Sequence, residues 1–198
     1  MKEKIKKYEL NKYENSKCCS YCNTEIINPE RWADNIANQL IKIINDTKSE
    51  SKILKILGFN IEITKEMKID LLIWRMFAVN LVIQEKTHDQ ELNNLFHNIV
   101  AKKLYRSKKE IKNFFDIVKI RYDEYYYTFN SKSDQKTFNL AMDFLDFFIF
   151  GKLGDHKYPK KDKIFTVAMS IMQEFYDFIV FAREQYFKNE KENNYEKK

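Results

Sequence analysis

Apolar residues recur along most of this chain at the three-to-four-residue spacing of helices buried on one side. Leu92, Leu95, Phe96 and Ile99 follow i, i+3, i+4, i+7, and Ile111, Phe114, Phe115, Val118 and Tyr122 do the same. The segment 65–86 differs, being apolar on nearly every face. A helix of that kind is surrounded by others, so it takes the centre, with Trp74 and Phe77 as its bulk. The alternation in Phe59-Asn-Ile-Glu-Ile-Thr64 is that of a strand, but no second strand exists to pair with it, so it reads as a docked connector.

The punctuation between these runs is sparse and well placed. Pro29 follows Asn28 as a first-turn proline after an N-cap, Gly58, Gly151 and Gly154 end helices, and Pro159 opens the last one. Between Gly58 and Gly151 polar caps must make the turns. Thr87-x-x-Gln90 and Ser107-x-x-Glu110 match the capping box, and Thr64 and Ser133 are simple N-caps. The pattern predicts helices over 29–46, 51–57, 65–86, 88–105, 108–129, 134–150 and 160–188. The expected fold is all-α, a single-domain bundle of about six helices around the central helix 65–86. The expected organisation is a basic, Cys-containing lead-in (1–27), the bundle (28–188) and a polar tail (189–198) that frays.

Composition narrows this further. A chain of 198 residues with 44% hydrophobic residues buries a core without disulfides. Only 3 Gly and 2 Pro leave too few turn formers for a β-sandwich and no glycine cluster for a nucleotide-binding loop. The excess of Lys over Arg, with abundant Asn and Ile, reads as an AT-rich coding sequence of bacterial, phage or mobile-element type. The charged N-terminal stretch carries no signal-peptide core. The most apolar run, Ile69–Ile83, contains Asp70, Arg75 and Asn80 and is shorter than the roughly 20 residues a bilayer requires. The expectation is a cytoplasmic protein with no membrane partner.

Arg75 and Asn80, on the central helix, need buried partners. Asp143, Asp146 or Asp177 is the expected carboxylate for Arg75.

Four constellations carry candidate chemistry. Cys19-x-x-Cys22, with Cys18 adjacent, has half the spacing of a zinc knuckle. Zinc takes four ligands, so closure needs Cys18 and a His, an acidic residue or a second subunit. The alternative is a set of reduced thiols before the first helix. Asp143-x-x-Asp146 and Glu174-x-x-Asp177 each place two carboxylates on one helix face, and two such helices side by side hold Mg²⁺ between oxygen ligands. This resembles the ExxE…ExxD pattern of the all-α nucleotide pyrophosphohydrolases, with Asp in place of Glu in the first pair. The resemblance implies metal-dependent hydrolysis of a triphosphate at these four positions. The alternative is two solvated polar stripes.

The other two constellations belong to a surface. Residues 102–112 hold six Lys or Arg against one Glu, a local +5, and residues 152–163 add +3. Lys102, Lys103 and Arg106 suit a helix C-terminus, whereas Lys108 and Lys109 crowd a helix N-terminus that prefers anions. If both runs face one side, a nucleic-acid backbone is the fitting partner. Tyr125, Tyr126 and Tyr127 are consecutive and cannot all point inward, so at least one reaches the surface, either as an interface residue or as an edge-of-core residue whose hydroxyl reaches water. With no nucleophile elbow, Walker loop or HExxH, the leading expectation is a non-enzymatic interaction or regulatory protein. It would bind a protein or nucleoprotein partner through these residues.

Overall fold

The computed structural model describes residues 29–86 and 90–195, with side chains through 85 and from 90 to 185. The Cys18, Cys19 and Cys22 cluster, the caps Asn28 and Thr87, and His88 lie outside the described residues. Seven α-helices are described: α1 (Pro29–Ile43), α2 (Lys48–Ile56), α3 (Lys65–Lys86), α4 (Gln90–Leu104), α5 (Lys108–Phe129), α6 (Lys136–Phe150) and α7 (Ile164–Tyr195). A single 3₁₀ turn, Lys161–Lys163, leads into α7. The fold is an all-α single-domain bundle.

The central helix is α3. Every residue from Asp70 to Asn80 is buried, including Trp74, which is 2% exposed. Around Trp74 stand Tyr125 of α5, Phe144 of α6 and Phe175 of α7, with ring centroids 5.2, 4.9 and 4.4 Å away. One turn on, Phe77 meets Tyr122, Tyr126, Phe129 and Phe175. Such pairs add about 0.5–1.5 kcal/mol each beyond the area they bury. The aromatic residues of three helices thus converge on one rod. On the other flank α1 packs along α4, where Trp32 meets Phe96.

Most helix ends follow local chemistry. Ser107 and Glu110 form the expected capping box at α5, and the Thr64 hydroxyl accepts from Met67 N at 3.2 Å. Ser133 Oγ accepts from Gln135 N, and α6 begins at Lys136. Gly151 ends α6 in the left-handed conformation, φ 72°. Four boundaries differ from expectation by three residues or more: α1 stops at Ile43 instead of 46, and α7 starts at Ile164 instead of 160, so Pro159 precedes the Lys161–Lys163 turn and does not open the helix. The second helix starts at Lys48 instead of 51, which brings Glu50 onto its inner face. The last helix runs on to Tyr195, because the tail is rich in Glu and Lys, which favour helix, and has no Gly or Pro to stop it.

The segment 59–64 is extended without a strand partner, as expected of a connector. Gly58, at φ 87°, turns the chain out of α2, and a Cβ there would stand 3.0 Å from Pro159. Lys160 N donates to Leu57 O at 3.1 Å, so the 151–163 loop docks directly on the end of α2. That loop folds back along α6, with Tyr158 OH donating to Asp146 at 2.7 Å and His156 stacked on Phe150. The stretch Lys161–Gln185 is long and apolar enough to cross a membrane by length and composition alone. In the fold it lies against α3 and α6 and sends Glu174 to Arg75.

Candidate interaction surface

Several buried polar groups of the bundle pair with one another, while Arg75 Nε and Nη1, Glu50 Oε2, Asn80 Oδ1 and Tyr125 OH have no hydrogen-bond partner among the described residues. Arg75 Nη2 donates to Glu50 of α2 at 2.9 Å and to Glu174 of α7 at 2.5 Å. The expected partners Asp143, Asp146 and Asp177 are therefore corrected. Burial pushes Glu50 above the ordinary glutamate range, with Arg75 pulling the other way. Asp70 of α3 accepts from Arg121 Nε at 2.8 Å, and that guanidinium lies 3.8 Å over the Phe147 ring and donates to Gly151 O. Asn80 donates to Tyr126 OH.

His97 is held as a neutral ring. Its Nδ1–H faces the Asn93 carbonyl at 2.7 Å, so Nε2 accepts from Tyr122 OH at 2.9 Å, and burial lowers its pKa. All these groups fasten helices together.

The two carboxylate pairs are not brought together. Asp143 accepts from Thr128, Asp146 from Tyr158 and Asp177 from Gln173, while Glu174 belongs to Arg75. Among the described residues no three His, Cys, Asp or Glu side chains are grouped so as to hold a metal ion. The four-carboxylate Mg²⁺ expectation is thereby corrected: α6 and α7 turn these residues toward separate partners. Asp143 is still unusual. Burial, reinforced by Glu124 and Asp146, raises its pKa to about 6 despite the Thr128 hydrogen bond.

The three tyrosines separate as helix geometry demands. Tyr125 is fully buried between Trp74, Phe77 and Phe147, so its assignment to a partner surface is corrected. Tyr126 is partly buried against Phe77 and tied to Asn80. Tyr127 is 79% exposed and shares the outer side of α5 with Ile117 and Ile120.

The basic runs occupy the surface. Lys102, Arg106, Lys108 and Lys109 are exposed, and among the described residues no carboxylate pairs with any of them. Lys103 is the exception, held by Asp34 of α1 at 2.7 Å. At the start of α5, Ser107 and Glu110 satisfy each other's backbone donors. Lys108 and Lys109 therefore stand beside the positive end of a helix with only Glu110 to offset them.

The two runs flank a single connector. Lys160 is hydrogen-bonded to Leu57 where the connector begins, and Lys65, where it ends, lies 6.0 Å over the Tyr105 ring within the first run. Eight residues of extended chain separate Leu57 from Lys65 by at most about 29 Å. The runs together carry +8 in a chain of net +6, so the rest of the chain sums to −2. Between them Lys55 and Lys68 line a cleft with Thr47, Ser51 and residues 60–63. Sequence reasoning missed these two lysines because neither belongs to a run; only the fold sets them opposite each other.

The fold defines the chain as an all-α helical bundle. No known protein family matches it, and no curated protein or solved structure matches it significantly.

Proposed function

We propose that the chain is a non-enzymatic interaction protein that docks on a nucleoprotein partner, its basic flank meeting the nucleic-acid backbone. The observation behind this reading is that both basic runs touch the ends of one connector, the 152–163 run through Lys160 on Leu57 and the 102–112 run through Tyr105 beneath Lys65. The exposed Lys102, Arg106, Lys108 and Lys109 have no carboxylate partner among the described residues and are the charges that a phosphate backbone would neutralise. Arg75, Asp70, Asn80 and His97 pair with neighbouring helices, and the carboxylates of the hydrolase reading go to separate partners, which favours binding over hydrolysis.

The test is fluorescence anisotropy with a mixed-sequence duplex at 50 and 200 mM salt. Binding should weaken by a factor of ten or more over that range, as counterion release requires. Binding that ignores salt, or none at 50 mM, ends this reading.

A further inference from the structure

The cleft beside α2 has a composition of its own. Thr47, Ser51 and Lys55 recur at i, i+4, i+8, so they form one face of α2. Across from them run Asn60, Ile61, Glu62 and Ile63 of the connector, with Lys68 of α3 at one end. The space between is about 500 Å³, within the range that holds small-molecule ligands. A shallower extension along α2 adds Lys48 and Lys52. Four lysines thus face the opening against the single carboxylate of Glu62.

Two further observations point to an oxyanion. The Thr47 side chain makes no capping hydrogen bond at the start of α2. Among the described residues the backbone of 60–63 makes no hydrogen bond either. Hydroxyls, an amide and unused N–H groups beside lysines are the donor set that cradles phosphate oxygens. The cleft is also pre-formed, because the opposite face of α2 is fixed by Glu50 to Arg75 and by the buried Leu54 and Leu57.

We infer that the cleft between α2 and the 59–64 connector seats a phosphate group, with Lys55 and Lys68 as its clamping charges and Thr47, Ser51 and Asn60 as neutral donors. Two sources carry that chemistry: a free nucleotide, or the backbone of a nucleic-acid strand continuing from the basic flank. The second source rests on the proposed function; the first does not.

The experiment is isothermal titration of the full chain with ATP and, separately, with a ten-nucleotide single strand. Wild type is compared with Lys55→Glu/Lys68→Glu and with Lys108→Glu/Lys109→Glu, which changes the net charge equally outside the cleft. Both pairs lie on the surface, and circular dichroism melting verifies that each variant is folded. If the ligand is a nucleotide, ATP binds and loses at least tenfold in affinity only in the cleft variant. If it is a strand, the oligonucleotide loses at least tenfold more in the cleft variant than in the control. No binding of either ligand, or equal losses in the two variants, overturns the inference. Loss confined to the control variant leaves the basic-flank reading standing and removes the cleft.

Discussion

At the scale of single residues, Arg75 and Asp143 are the groups whose burial has measurable consequences. Arg75 is 4% exposed and neutralises Glu50, whose side chain is 3% exposed. Arg75→Met leaves a carboxylate stranded in the core and should cost about 3–5 kcal/mol in urea denaturation at pH 7. Arg75→Met/Glu50→Leu should recover much of that loss. The single variant's deficit should shrink as pH is lowered, because burial, no longer opposed by Arg75, holds Glu50 above the ordinary glutamate range. A cost no larger than that of a surface substitution would show that Glu50 is not a buried charge. Asp143 works in the other direction. Its folded pKa of about 6 lies above its ordinary value of 3.8. Its contribution is therefore full below pH 4 and is lost as pH rises through 6. Asp143→Asn should be more stable than wild type at pH 7.5, by on the order of 1 kcal/mol after screening, with the gap closing at pH 4. A pH-independent difference would contradict the assignment.

At the scale of elements, each helix end is a separate test of local chemistry. Ser107 caps α5 through Glu110 N at 3.2 Å, and Ser107→Ala should lower stability by about 1 kcal/mol in thermal or urea unfolding. An unchanged melting curve would mean the first turn of α5 is held by packing alone. Such ends were legible because a cap is written within four residues, and so was the central helix, because eleven consecutive buried positions need an apolar run. Long-range partners were not legible. The spacing of Asp143 and Asp146 is right for a shared helix face, but periodicity does not say which neighbour that face meets, and here it meets Thr128 and Tyr158. Glu50 escaped notice because the apolar pattern of α2 begins only at Ile53, which places the expected helix start after it. Its burial depends on α2 lying across Arg75, a contact 25 residues away in the chain. Tyr125, Tyr126 and Tyr127 were ambiguous for the same reason: three adjacent residues sweep most of a helical turn, and only the position of Trp74 decides which one is inside.

At the scale of the whole molecule, the distribution of charge sets what the bundle can bind. The 102–112 run and the 152–163 run are separated by one short connector, and the remainder of the chain is net negative. In the proposed reading a polyanion is drawn toward these runs before any close approach. A twenty-base-pair duplex, about 68 Å long at 3.4 Å per base pair, is long enough to span both runs. On that duplex, Lys160→Glu/Lys161→Glu and Lys108→Glu/Lys109→Glu should each lower the slope of log K against log salt, by about 0.9 for every phosphate that the variant no longer neutralises. Anisotropy titrations across four salt concentrations read the slope. A slope that one pair of substitutions leaves untouched would mean that the two runs do not act on the same partner.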